Sequence, residues 1–188
     1  MNVDITGFIL AGGNSSRMGS DKALLLVEDE PLLQRMIGLL KPVCRTIAIS
    51  GTRDDYSEFN VPLIPDAFVG YGPIAGLYSS LDHSKTEWNL IVSVDVPFVN
   101  EELFRYLFSG IGPNDCVIPE HEAGLEPLVA LYSKRCLPVL KEMVLSGDYK
   151  LRNLFPKLNT RKLDCNELVQ KYPRLFFNLN RPGDYHSV

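Results

Sequence analysis

The chain has 188 residues, 45% of them hydrophobic, and its formal net charge is −4. A chain of this length buries a substantial core and falls within the usual size of one domain, so we expect residues 1–188 to form a single domain. The negative net charge excludes a broadly basic surface of the kind that binds nucleic acid. The sequence shows neither an apolar run of about 18 residues nor a signal-peptide pattern, so we expect a cytoplasmic protein without membrane association.

The cysteine and histidine spacings give no indication of a metal site. The cysteines are Cys44, Cys116, Cys136 and Cys165. No two of them form a C-x-x-C pair, so we expect free thiols rather than a zinc ribbon or a disulfide framework. The histidines are His83, His121 and His186. They show no i, i+4 spacing, and we expect them at the surface rather than on a metal.

Segment 10–22 is the richest in candidate ligand-binding residues. It reads L-A-G-G-N-S-S-R-M-G-S-D-K and follows the apolar run Ile5–Leu10, which predicts a strand. Its glycines let backbone N–H groups approach an anion closely, and Arg17 and Lys22 add two positive charges. The segment contains neither the Walker A triplet nor the G-x-G-x-x-G fingerprint. The pattern favours a nucleotide phosphate as ligand over a glycine-rich turn with two solvated basic residues.

Apolar spacing along the rest of the chain predicts alternating strands and helices. The further predicted strands are Thr46–Ser50 and residues 61–64, 89–94, 116–119, 127–132 and 175–179. The predicted helices are Leu32–Leu40 and residues 73–81, 101–108, 137–145 and 150–155, and residues 29–31 are predicted to form a turn. This alternation is typical of an open α/β sheet, and the nearly continuous apolar segment 89–94 favours a central strand covered on both faces.

Candidate ligand-binding residues follow four of the predicted strands. Segment 10–22 follows the first strand, Ser50 ends the second, Asp66 follows the third and Asp95 follows the fourth. Ligands of open α/β sheets bind outside the carboxyl ends of the strands, so these four strand ends predict one crevice. An aspartate at the end of a buried strand either binds a metal or caps the next helix, and the local sequence leaves both roles of Asp95 open.

The motifs of segment 10–22 also resemble those of a known family. L-A-G-G at positions 10–13, R-M-G at 17–19 and D-K at 21–22 resemble the signature of the molybdenum cofactor guanylyltransferase family. The resemblance implies an α/β, Rossmann-like three-layer nucleotidyltransferase fold with a mostly parallel central sheet. It implies transfer of GMP from GTP to molybdenum-molybdopterin with Mg²⁺, releasing pyrophosphate. Molybdopterin-synthesis enzymes or acceptor enzymes would be further partners.

The resemblance implies a set of site residues as well. The family's magnesium aspartate matches Asp95, in a D-x-P pattern with Pro97, and the implied catalytic residues are Arg17, Lys22 and Asp95. The implied nucleotide-binding residues are Leu10, Ala11, Gly12, Gly13, Lys22, Ser50, Asp66, Gly72, Pro73, Gly76 and Asp95. Two later motifs, thought to line the pterin side of the cleft, supply Glu126, Asn178 and Asn180.

Ser50 departs from the family pattern, which often has asparagine there, so a hydroxyl would replace an amide in the contact with the nucleotide. Three other functions remain open at this point. A molybdenum cofactor cytidylyltransferase typically has L-A-A-G in place of L-A-G-G. A sugar-phosphate nucleotidyltransferase would be expected to have Pro-Lys where this chain has Asp21-Lys22, and a regulatory nucleotide-binding module could dispense with Asp95. The joint presence of Arg17, Lys22, Asp66 and Asp95 favours an enzyme.

Overall fold

A computed structural model describes residues 3–11, 21–27, 29–51, 53–68 and 70–179. The strands of this part of the chain are β1 (Ile5–Leu10), β2 (Leu26–Val27), β3 (Glu30–Pro31), β4 (Thr46–Ser50), β5 (Leu63–Ile64), β6 (Trp88–Ser93), β7 (Cys116–His121), β8 (Gly124–Leu125), β9 (Val129–Ser133) and β10 (Thr160–Asp164). The α-helices are α1 (Leu32–Leu40), α2 (Pro73–His83), α3 (Glu101–Ser109), α4 (Leu137–Ser146) and α5 (Asn166–Lys171). Short 3-10 helices occupy Lys22–Leu24, Asp54–Phe59, Lys134–Cys136, Leu151–Asn153 and Phe155–Lys157.

One mixed sheet forms the centre of the molecule, in the strand order β10-β7-β9-β6-β1-β4-β5, with β8 paired to β7. Strand β1 is parallel to both of its neighbours, β4 and β6, whereas β9 is antiparallel to β6 and β7. The register aligns Leu10 with Ser50 on one side and with Ser93 on the other. The carboxyl ends of the first, second and fourth predicted strands are therefore direct neighbours.

Helices cover both faces of this sheet. Helices α1 and α3 pack on one face, in a core that includes Ile9 and Leu90, and α2 and α4 pack on the other face with Phe8 and Ile91. All six residues of β1 and all six of β6 are buried, so both strands are covered on both sides. The result is the mostly parallel, three-layer α/β fold that the resemblance implied.

Local sequence accounts for the start of the helix nearest the site. Gly72 precedes α2 with φ of 72°, a left-handed backbone angle that glycine adopts without steric cost. Pro73 then occupies the first turn, where an N–H would have no partner within the helix. Ser79 accepts a hydrogen bond from the Ala67 N–H at 2.8 Å, which ties the helix to the segment that carries Asp66. The chain therefore begins α2 next to the carboxyl end of β5.

The structure corrects the prediction for the C-terminal part of the described chain. Residues 175–179 were predicted to form a strand, but residues 175 and 176 lie in a turn and 177–179 have no regular secondary structure; of this apolar segment, Leu175 and Leu179 are buried in the core. The edge strand is instead Thr160–Asp164, followed by α5, and neither was predicted. Leu163 is the only buried residue of that strand, so it has no alternating apolar pattern.

Smaller differences concern segment ends. Residues 29–31 were predicted to form a turn, but Glu30 and Pro31 form β3, which pairs with β2 in a separate antiparallel hairpin. Asp29 makes the turn with φ of 64°. The predicted strand 61–64 is reduced to two residues, and the strand predicted at 127–132 begins at Val129.

The prediction of free thiols is confirmed, since all four cysteines are unpaired. Burial raises the pKa of Cys116 and of Cys165 to about 11, which keeps both thiols protonated near neutral pH. No helix in the described part of the chain is long and apolar enough to span a bilayer.

Candidate active site

A cleft with a volume of about 310 Å³ opens at the carboxyl ends of β1, β4 and β6. Its lining residues are Leu10, Ala11, Asp21, Lys22, Ser50, Asp66, Gly72, Pro73, Gly76, Ser93, Val94, Asp95 and Leu128. The structure thus brings most of the predicted site residues together. The cleft combines apolar walls with one lysine and three carboxylates, the composition of a site for a polar ligand with an apolar portion.

Lys22 and Asp95 face each other across this cleft. The Lys22 Nζ atom lies 3.4 Å from Asp95 Oδ1 and donates a hydrogen bond to the carbonyl oxygen of Leu179 at 3.0 Å. The Lys22 side chain is 18% exposed and that of Asp95 is 33% exposed. The Leu179 N–H in turn donates to the Asp95 carbonyl at 2.9 Å. Leu179 is buried, and its backbone N–H and carbonyl therefore link Asp95 and Lys22 at this end of the cleft.

Asp95 is held by the strand that precedes it. Its N–H donates to the Oγ atom of Ser93 at 3.2 Å, and the Ser93 N–H donates to the carbonyl of Leu128 at 2.8 Å. Leu128 lies just before β9, so the turn that carries Asp95 is anchored to the antiparallel neighbour of β6.

The other end of the cleft is formed by Ser50, Asp66 and Gly76. Ser50 is 1% exposed, and its hydroxyl donates a hydrogen bond to Asp66 Oδ1 at 3.1 Å. A Cβ atom on Gly76 would lie only 3.1 Å from Ser50 Oγ and 3.4 Å from Leu10 Cδ2. Glycine at position 76 therefore lets α2 approach the ends of β1 and β4 closely, and Ser50 orients the Asp66 carboxylate.

For the nucleotide site that the resemblance implies, Ser50→Ala is expected to weaken binding by about 0.5–1.5 kcal/mol, because Asp66 loses one neutral hydroxyl donor. Calorimetric titration with GTP and Mg²⁺ measures the change. Ser146→Ala is the control, since that exposed serine bonds a backbone carbonyl of α4 outside the cleft. Unchanged affinity in Ser50→Ala would mean that the hydroxyl does not support the nucleotide site.

Two predicted pterin-side residues do not line the cleft. Asn178 is exposed, and Glu126 Oε1 lies 3.0 Å from the Nε2 atom of His121. Gly12, Gly13, Arg17 and Asn180 lie outside the described residues.

The prediction that His121 is a surface residue is wrong. Its side chain is 10% exposed, and its ring stacks on Phe176 with the centroids 5.0 Å apart. Phe176 is distant in sequence, and no local pattern indicates the contact. His83 is exposed as predicted, and His186 lies outside the described residues.

Four residues that line the cleft were not among the predicted site residues: Asp21, Ser93, Val94 and Leu128. Asp21 was available as part of the D-K motif. Its carboxylate is buried, with 6% of the side chain exposed, and its Oδ1 atom accepts the N–H of Ala23 at 3.1 Å. Ser93 and Val94 were predicted only as parts of an apolar strand, whereas Leu128 belongs to the Glu126-Pro127-Leu128 motif that the resemblance implies for the pterin side of the cleft.

Asp95 could hold the divalent cation that the resemblance implies if a bound phosphate supplied further oxygen ligands. Its carboxylate faces the cleft, and a cation, Lys22 Nζ, already lies beside it at 3.4 Å. Among the described residues, no group of three or more histidine, cysteine or acidic residues could hold a metal by itself. Mg²⁺ commonly takes one or two carboxylates and completes its shell with phosphate and water oxygens. The donor set around Asp95 fits that pattern.

Comparisons with known proteins agree with this geometry. Residues 7–162 match the MobA-like NTP transferase domain. The chain is 34% identical over 186 residues to the molybdenum cofactor guanylyltransferase of Vibrio cholerae, covering 96% of this chain and 89% of that protein. It is 33% identical to the molybdenum cofactor guanylyltransferase of Desulfosudis oleivorans, covering 94% and 90% of the two chains.

A solved structure shows the same fold. Molybdopterin-guanine dinucleotide biosynthesis protein A from Archaeoglobus fulgidus superposes with a TM-score of 0.82 and 24% identity, covering 97% of this chain and 95% of that chain. The domain match and both relatives span most of the sequence, and the cleft contains Lys22 of the D-K motif and Asp95 of the D-x-P pattern. The chain therefore belongs to the molybdenum cofactor guanylyltransferase family of MobA-like NTP transferases and is a nucleotidyltransferase.

Proposed function

We propose that the protein transfers GMP from GTP to molybdenum-molybdopterin, releasing pyrophosphate and forming the molybdopterin guanine dinucleotide cofactor. The main support for the transfer chemistry is the position of two charged groups in the cleft at the carboxyl ends of β1 and β6. Lys22 Nζ lies 3.4 Å from Asp95 Oδ1 there. The names of the relatives support the choice of GTP and of the pterin acceptor.

The proposed reaction requires no nucleophile from the protein. A phosphate oxygen of molybdopterin forms a bond to the α-phosphorus of GTP, and the bond from that phosphorus to the bridging oxygen breaks, so that pyrophosphate leaves. The substrates must be aligned, and the negative charge on the transferred and leaving phosphates must be neutralised. Lys22 neutralises charge on the triphosphate, and Arg17 and the glycines at 12 and 13 contribute by virtue of the sequence signature.

Asp95 is the residue that would hold Mg²⁺. When bound, the ion supplies charge neutralisation and fixes the orientation of phosphate oxygens. The chain's own contribution is to fix the backbone of Asp95, whose N–H donates to Ser93 Oγ and whose carbonyl accepts the Leu179 N–H, so that the side chain extends into the cleft. At the opposite end of the cleft, Asp66, oriented by Ser50, accepts hydrogen bonds from the nucleoside part of the substrate. Gly72 and Pro73 form the wall beside it.

GTP with Mg²⁺ is expected to raise the melting temperature more than ATP, CTP or UTP with Mg²⁺. A ligand at about 100 times its dissociation constant stabilises the folded state by about 2.7 kcal/mol. For a chain of this size, each kcal/mol raises the melting temperature by roughly 2–4 °C, so the shift should be several degrees. Thermal unfolding with each nucleotide at equal concentration measures it. Equal shifts with CTP and GTP would contradict the guanine assignment.

A further inference from the structure

Tyr56 lies directly behind the cleft without lining it. It belongs to the 3-10 helix Asp54–Phe59, which follows β4, and its residue is 1% exposed. Its hydroxyl oxygen lies 2.8 Å from Asp21 Oδ2 and 3.2 Å from the carbonyl oxygen of Ala11. Both of these residues line the cleft, and in sequence they stand on either side of segment 12–20. One buried hydroxyl thus reaches two separate parts of the cleft wall.

The Asp21 carboxylate depends on this hydroxyl. Its Oδ1 atom accepts the Ala23 N–H, and its Oδ2 atom is shared by Tyr56 and by Arg53 Nε at 2.8 Å. The Arg53 side chain is 53% exposed, so water competes with that ion pair and weakens it. The Tyr56 hydroxyl is buried, so of the two partners of Asp21 Oδ2 it is the one that water cannot replace.

Asp21 directly precedes the lysine of the site. By accepting the Ala23 N–H, Asp21 caps the 3-10 helix that begins at Lys22. The cap at the start of this short helix fixes the backbone from which the Lys22 side chain extends toward Asp95 and the Leu179 carbonyl. Ala11 is held from both ends as well, because its N–H donates to the Ser50 carbonyl while its own carbonyl faces Tyr56.

Tyr56 stays protonated near neutral pH and can donate a hydrogen bond there. Burial first, and the hydrogen bond to Asp21 second, raise the pKa of Tyr56 well above its ordinary value. A phenol hydroxyl has one hydrogen to donate. The hydrogen bond to the charged Asp21 carboxylate is shorter than the one to the Ala11 carbonyl and is the stronger of the two. The longer contact to Ala11 makes the bond three-centred.

We propose that Tyr56 is a positioning residue for nucleotidyl transfer: its hydroxyl fixes the Asp21 carboxylate and thereby the placement of Lys22 against the nucleotide phosphates. The inference rests on the proposed function for the identity of the nucleotide. The hydroxyl itself touches no substrate, and its effect is transmitted through Asp21 and Lys22.

Tyr56→Phe tests this role, first without any nucleotide. The variant keeps the buried ring and removes only the hydroxyl. We expect amide hydrogen exchange at Ala23, followed by NMR, to rise about tenfold, while exchange at Ile91 in β6 stays unchanged. Tyr106→Phe is the matched control, because its hydroxyl also bonds a backbone carbonyl but lies on α3 away from the cleft. That control should leave Ala23 unaffected.

The second readout is nucleotide affinity. Tyr56→Phe should weaken binding of GTP with Mg²⁺ about tenfold in calorimetry. The same substitution in a Lys22→Met background should change affinity by less than twofold, because Tyr56 acts on the nucleotide through Lys22.

Unchanged exchange at Ala23 would overturn the proposal. Equal acceleration at Ala23 and Ile91, or equal losses in both backgrounds, would show a merely structural role and would overturn it too. A wild-type protein without preference for GTP would contradict the proposed substrate, whereas the exchange comparison would still decide the role of Tyr56.

Discussion

Asp95→Asn is expected to abolish turnover while the fold remains intact. The substitution keeps the size of the side chain and its hydrogen-bonding capacity but removes the negative charge that a divalent ion needs. Charge neutralisation by a bound metal contributes several kcal/mol to such reactions, so the rate should fall by about a thousandfold or more. The lost ion pair with Lys22 is partly exposed and costs at most about 1 kcal/mol of stability. Pyrophosphate release at saturating GTP and Mg²⁺ measures the rate.

Asp82→Asn provides the matched control. Asp82 is exposed in α2 and does not line the cleft. The control should retain the wild-type rate and melting temperature. Near-normal activity of Asp95→Asn at saturating Mg²⁺ would contradict the assignment and would transfer the metal role to Asp66 or Asp21, the other carboxylates of the cleft.

Lys22→Met is expected to move the affinities for nucleotide and for metal in opposite directions. Methionine retains an unbranched apolar stem but cannot bind phosphate, so the affinity for GTP should fall by about 1.5–3 kcal/mol, the usual value of a charged hydrogen bond. In the nucleotide-free protein, Lys22 Nζ lies 3.4 Å from Asp95 Oδ1 and competes with a metal for that carboxylate. Its removal should therefore strengthen Mg²⁺ binding by up to about 1 kcal/mol, close to fivefold in Kd.

Calorimetry with Mg²⁺ alone and with GTP in the presence of Mg²⁺ distinguishes the two effects. Lys41→Met is the control, because Lys41 is exposed at the end of α1 and away from the cleft. It should leave both affinities unchanged. If Lys22→Met weakened metal binding as well as nucleotide binding, Lys22 would not be the competitor of the metal in the free protein.

The sequence predicted the part of the site that depends on strand order. The apolar runs at Ile5–Leu10 and Thr46–Ser50 coincide with β1 and β4, and the run at 89–94 is displaced by one residue from β6. Buried parallel strands have continuous apolar sequences, and their carboxyl ends meet at one edge of the sheet. The convergence of Lys22, Ser50 and Asp95 on one cleft followed from that geometry.

Contacts between distant residues could not be predicted in the same way. Tyr56 lies in the polar run D-D-Y-S-E-F, and nothing in that run indicates that its hydroxyl reaches Asp21 and Ala11. The hydrogen bond from Lys22 to Leu179 uses a backbone carbonyl, which every residue possesses. In the apolar segment 175–179, burial was indicated correctly for Leu175 and Leu179, but secondary structure was not, because residues buried in irregular backbone and residues buried in a strand have the same apolar composition.

A turnover assay measures whether the protein transfers GMP from GTP to molybdenum-molybdopterin. Purified protein is mixed with Mg²⁺, molybdenum-loaded molybdopterin and each of the four nucleoside triphosphates in turn, and pyrophosphate and dinucleotide product are measured together. Pyrophosphate and molybdopterin guanine dinucleotide should form in equal amounts with GTP and in far smaller amounts with the other three. Equal or faster product formation with CTP, or nucleotide binding without product from any of the four, would contradict the proposed function.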